Sequence, residues 1–170
     1  VVLAARRPDV LVYQTEPLTE DLTIVGPIQV KLHVSTSGTD SDWIVKLVDV
    51  FPDDHPDETT DGKPLASFQG LVRGDVMRGR YRDGLASPQP FIPNQPTPVN
   101  FRLQDVAHTF RSGHRLMVQI QSTWFPLVDR NPQKYVDLAT AAPEDFQKAV
   151  QRVFHGPTTP SRLEVLELPR

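Results

Sequence analysis

Acyl transfer by a serine needs a hydroxyl on a strained turn beside a general base, and its usual signature is Gly-x-Ser-x-Gly. None of the eight serines in the chain lies in that pattern. Ser37-Gly38 and Ser112-Gly113 read as turns, where small polar residues and glycine relieve the backbone. There is no cysteine, which excludes a thiol nucleophile, a disulfide framework and Cys-ligated zinc. The histidines are His33, His55, His108, His114 and His155, and none is placed at metal-ligand spacing. His33 falls on the polar face of a strand pattern and reads as solvated. His108 and His114 flank a turn and read as structural hydrogen-bonding groups. Asp53, Asp54, Asp57, Glu58 and Asp61 offer the oxygen ligands calcium takes, but Glu58 stands where an EF-hand turn needs glycine. A solvated acidic loop is the simpler reading, and no metal or cofactor is expected.

What remains is a surface able to bind rather than react. Trp43, Trp124, Phe125 and Tyr135 could stack on a sugar face, but Trp43 lies in a strongly apolar strand and reads as core. Trp124 and Phe125 open a long segment without clear period. An exposed aromatic cluster there marks an interface, so Trp124, Phe125 and Tyr135 are candidate interdomain contacts. Asp129-Arg130-Asn131-Pro132 is a compact polar group. Asp129 could cap a turn and Arg130 could pair with an acid, which makes Asp129 and Arg130 candidate organisers of that loop.

These residues must be positioned by an all-β scaffold. The chain has 170 residues, about one domain, and 17 are proline, about twice the average usage. Prolines at that density break helices and punctuate short strands. The net charge of −3 and the absence of a basic block argue against nucleic acid or an anionic membrane as partner. No apolar run approaches the ~18 residues that span a bilayer. Val1–Ala5 is too short for a secretory signal, and Arg6 and Arg7 lie on its wrong side. Val10–Thr15 reads as extended. Ile28, Val30, Leu32 and Val34 alternate with polar residues after Gly26-Pro27, as in a half-buried strand. Trp43–Phe51 is apolar on both faces and predicts a central strand covered on both sides. Leu65–Tyr81 reads as one or two strands broken by Gly70, Gly74 and Gly79. Ser87–Pro98 holds five prolines and reads as irregular surface. Val99–Leu103, Leu116–Ile120 and Arg162–Leu168 alternate as strands. Phe146, Ala149, Val150, Val153 and Phe154 follow helical spacing and predict a helix from Pro143. About eight strands separated by turns suggest a β-sandwich of jelly-roll type.

Four stretches carry a resemblance: Arg7-Pro8-Asp9-Val10-Leu11, SDWIVKLVDVFP over 41–52, Arg78-Gly79-Arg80-Tyr81-Arg82, and GHRLMVQI over 113–120. In this order they resemble the C-terminal domain of X-Pro dipeptidyl-peptidases and cocaine-esterase-like (CocE/NonD) serine hydrolases. STWFPL over 122–127, DRNPQ over 129–133, FQKA over 146–149 and QRV over 151–153 are similar to the α-amino-acid ester hydrolase and β-lactam (glutaryl) acylase branch. The resemblance implies a jelly-roll, galactose-binding-like β-sandwich over 1–170. It also implies that an α/β-hydrolase domain on other polypeptide carries the Ser-His-Asp triad. No catalytic residue is carried over, because the motifs are absent here. The resemblance replaces the helix from Pro143 with a short helical turn over Pro143–Lys148 and a strand at Gln151–His155.

Taken together, the residues and the resemblance lead to an accessory domain that packs on its own hydrolase domain and walls the active-site cleft. The parent could be a homo-oligomer, and cytoplasmic, periplasmic and secreted settings all fit. The alternative is a free-standing carbohydrate- or ligand-binding β-sandwich module, since fold alone does not fix function. Glycan binding by the isolated chain would favour that alternative.

Overall fold

The computed structural model describes residues 7–60 and 62–169. Val1–Ala5, and Asp61 of the acidic loop, lie outside the described residues. Among the described residues there are eight strands: β1 (Val10–Gln14), β2 (Leu22–Thr36), β3 (Asp42–Val50), β4 (Gln69–Arg78), β5 (Thr97–Phe110), β6 (Arg115–Gln121), β7 (Gln151–Phe154) and β8 (Arg162–Glu167). There is no α-helix among the described residues, and short 3-10 turns occupy Gly79–Tyr81 and Pro143–Asp145.

The strands form two antiparallel sheets, a β-sandwich. One sheet runs β1-β6-β3-β4. In the other, β2 pairs along one edge with β5 and along its other edge with β8 and then β7. β3 is the central strand its composition demands: every residue is buried except Lys46, which is half-buried. Trp43, Val45 and Leu47 point between the sheets and meet Ile24, Ile28, Val30, Leu32 and Val34 of β2 and Val99, Leu103 and Phe110 of β5. Each such side chain contributes about 1.5–3 kcal/mol through burial. On the opposite face of β3, Val48 and Val50 pack with Met117 and Val12.

Three sequence expectations change. Gly26-Pro27 does not begin a strand; it sits inside β2 at a register shift, with Gly26 at φ +76°. Proline lacks the N–H a regular ladder requires, and an irregularity tolerates it. Ser87–Pro98 is not all surface, because Phe91 is 2% exposed and packs edge-on to Trp43 at 6.5 Å between ring centres. The helix predicted from Pro143 is absent. The 3-10 turn stops at Asp145, Val150 exchanges hydrogen bonds with Ser37, and β7 pairs with His33–Thr36 of β2. Tertiary pairing overrides the apolar spacing, and the turn-then-strand order implied by the resemblance is the one observed. β4 is one strand despite Gly70 and Gly74.

Candidate interdomain face

Between β6 and β7 the chain runs almost thirty residues with only one 3-10 turn, so side chains must hold it. The anchor is Asn131. Its side-chain amide donates to Asp40 Oδ2 at 3.1 Å and to Asp42 Oδ1 at 2.8 Å. Arg80 Nε donates to Asp40 Oδ2 at 2.8 Å. Arg78 Nη2 donates to Asp42 Oδ2 at 3.2 Å and to the Asp129 carbonyl at 3.1 Å. All but Arg78 and Asp129 are buried, and buried carboxylates persist only when paired and hydrogen-bonded. Burial pushes the Asp42 carboxyl up despite hydrogen bonds from Asn131 and Arg78. Gln133, at φ +64°, donates its N–H to Asn131 Oδ1 at 2.8 Å, and its carbonyl accepts from Thr39 N–H at 3.1 Å. A Cβ on Gly38 would lie 2.1 Å from that carbonyl oxygen, so only glycine admits the loop here.

The loop held this way presents aromatic and cationic groups. Trp124 lies across β3 and β4: Lys46 Nζ stands 4.4 Å from its ring centre, and a Cβ on Gly74 would meet the indole at 3.1 Å. Phe125 is 64% exposed. The Arg130 guanidinium sits 5.9 Å from the Phe125 ring and 5.4 Å from the Phe146 ring. Trp124, Phe125 and Arg130 line one pocket of about 390 Å³ together with Arg7, Asp9, Val10, Lys46, Gln121 and Thr123. Tyr135 stands elsewhere, 37% exposed, donating its hydroxyl to the Pro88 carbonyl at 3.1 Å and lying 4.8 Å from the Arg80 guanidinium.

The five candidate residues are thus not one cluster. Trp124, Phe125 and Arg130 come together, whereas Tyr135 and Asp129 do not join their pocket. Asp129 contributes its carbonyl to Arg78, and Arg130 stacks on rings rather than pairing with an acid. The side chain that organises the loop is Asn131, which sequence reasoning passed over. Its carboxylate partners lie 91 and 89 residues away, beyond any local pattern.

The histidines are structural where they are buried. Asp49 on β3 accepts from His114 Nδ1 at 2.8 Å and from His108 Nε2 on β5 at 2.9 Å. The pair ties one sheet to the other. His33 is half-buried, and its Nδ1 is buried without a hydrogen-bond partner, rather than fully solvated. Among the described residues no group of three or more acids or histidines is placed to hold a metal ion.

Comparison with known proteins places this arrangement. Residues 1–164 match the model of the X-Pro dipeptidyl-peptidase C-terminal non-catalytic domain. The cocaine esterase of Rhodococcus sp. is 36% identical over 157 residues, covering 92% of this chain and 25% of that protein. An aminopeptidase structure from a marine sediment Thaumarchaeota archaeon superposes with a TM-score of 0.90 at 43% identity, over 97% of this chain and 27% of its own. An α-amino acid ester hydrolase structure gives a TM-score of 0.91 at 46% identity, over 98% of this chain and 26% of its own. This chain spans about a quarter of the length of each of these relatives. By fold, motif order and extent of match, it belongs to the C-terminal non-catalytic domain family of X-Pro dipeptidyl-peptidase and cocaine-esterase-like hydrolases.

Proposed function

We propose that this chain packs on the α/β-hydrolase domain of a larger serine hydrolase and helps shape its active-site cleft. The parent reaction would be acyl transfer through an acyl-serine, on an ester, a peptide or a β-lactam amide. One observation supports this most: an ordered loop, anchored by buried polar groups, holds Phe125 and Leu127 out at 64% and 70% exposure. A chain does not tie a loop down with buried charges merely to wet a phenylalanine, and exposed apolar clusters mark interfaces. The relatives are about four times longer than this chain, which supports a partner domain on the same polypeptide. Trp124, Phe125 and Arg130 would meet that domain, with Tyr135 and Asp129 as further contacts.

The test is reconstitution. The catalytic domain and this chain are expressed separately, mixed, and assayed on ester substrates of increasing bulk. The expected outcome is a stable complex whose preference among bulky substrates differs from that of the catalytic domain alone. Absence of a complex, together with glycan binding by this chain, would overturn the proposal in favour of a carbohydrate-binding module.

A further inference from the structure

The pocket beneath the loop is short of negative charge. Arg7 is balanced by Asp9, with Nε donating to Oδ1 at 2.8 Å. Lys46 and Arg130 have no carboxylate partner among the described residues. Lys46 has only the Trp124 ring and a 3.4 Å hydrogen bond to Gln121 Oε1. Arg130 has only the rings of Phe125 and Phe146. Two positive charges therefore stay unbalanced on a chain whose net charge is −3. Burial and the nearby Arg7 charge push the Lys46 ammonium down, so Lys46 is held where its charge is poorly solvated. A ring face offsets part of that, at about 0.5–2 kcal/mol, but a carboxylate would offset more. On the pocket wall, Thr123 Oγ1 is buried without a hydrogen-bond partner.

We propose that the pocket walled by Lys46, Trp124, Phe125 and Arg130 receives an aspartate or glutamate side chain from the catalytic domain. This rests on the packing reading given above and names the chemistry of the contact. The space, about 390 Å³, accommodates a few side chains. Its walls ask for a group with an apolar stem and an anionic end: the stem lies against the two aromatic rings, and the carboxylate meets the ammonium and the guanidinium. Phe146, whose ring lies 5.4 Å from the Arg130 guanidinium, widens the apolar surround that would exclude water from the pair. A charge pair shielded in this way fixes register and suppresses wrong partners more than it adds raw affinity.

Carbodiimide coupling of the full-length hydrolase tests this directly. The reagent condenses a lysine amine with a carboxylate it touches, forming an amide with net loss of one water. The Lys31–Glu164 and Lys134–Asp145 pairs, at 2.8 and 2.7 Å, are internal controls that must couple. The expected product, found by peptide mass spectrometry, joins Lys46 to an aspartate or glutamate outside residues 1–170. If the controls couple while Lys46 stays unlinked, or links only within this chain, the inference is overturned. A long-arm lysine–lysine reagent separates the two ideas. Long-arm links from Lys46 or Lys134 to the catalytic domain without the carbodiimide link leave packing intact and remove the carboxylate; absence of both removes packing as well. In the reconstituted complex Lys46→Arg should keep the association, and Lys46→Met should weaken it about tenfold. Equal weakening by both variants would contradict a charge contact.

Discussion

The side-chain amide of Asn131 donates to Asp42 Oδ1 at 2.8 Å, joining the long loop to the first residue of the central strand across 89 positions. Asn131→Ala removes the shared donor and leaves two buried carboxylates each short of a hydrogen bond. The expected loss is about 2–3 kcal/mol of unfolding free energy, read as a lower urea midpoint. Asp129→Asn should change stability by less than about 0.5 kcal/mol, because only the backbone carbonyl of that residue is engaged.

Gly38 and Gln133 form the second tether. A Cβ at Gly38 would sit 2.1 Å from the Gln133 carbonyl oxygen and 3.5 Å from the Asp40 carbonyl oxygen. The obstacle is backbone, which cannot swing aside. Gly38→Ala should therefore cost about 2–4 kcal/mol and raise amide hydrogen exchange over 131–135 relative to the wild-type chain. Unchanged exchange there would show that the loop is not seated against Gly38.

Asp49 joins the sheets through His108 and His114. Asp49→Ala strands two polar rings, one of them buried. A loss of about 2–4 kcal/mol is expected, with the largest rise in amide exchange at the β5–β6 turn. A loss confined to the β1 edge would argue against this clasp.

Asp42 carries a pH signature. Its folded-state pKa is raised above the ordinary 3.8, chiefly by burial. A group raised on folding stabilises the fold most when protonated, so its contribution is full below the unfolded value and is lost as pH rises through the folded value. Lowering the pH through that window should stabilise the wild-type chain relative to Asp42→Asn. Carbon-13 detection of the Asp42 carboxyl should give a midpoint above 3.8. A midpoint below it would contradict the burial argument.

Much of the scaffold was legible in residue spacing. The two-faced apolar run from Trp43 could only be a central strand, and the alternation of β2 and β5 marked half-buried strands; β6 departs from its pattern, because Met117 and Gln119, on the face read as polar, are buried while Leu116 and Val118 are half-buried. Local patterns failed where a distant partner decided the outcome. Phe91 sits among five prolines and reads as surface, yet the gap beside Trp43 draws it inside. Phe146 to Phe154 has helical spacing, but the free edge of β2 captures its second half. The aromatic pair Trp124 and Phe125 could be picked out by type. The role of Asn131 could not, since its acids are distant in sequence, Asp40 in the β2–β3 turn and Asp42 at the start of β3. Lys46 looked like one polar residue in an apolar strand, and nothing nearby in sequence tied it to Trp124.

Packing of the loop against the catalytic domain is tested most directly by amide hydrogen exchange over residues 122–130, compared between the full-length hydrolase and this chain alone. Slower exchange of these amides in the full-length protein, with the core amides of β3 unchanged, is the expected result. Equal exchange in both would contradict the account.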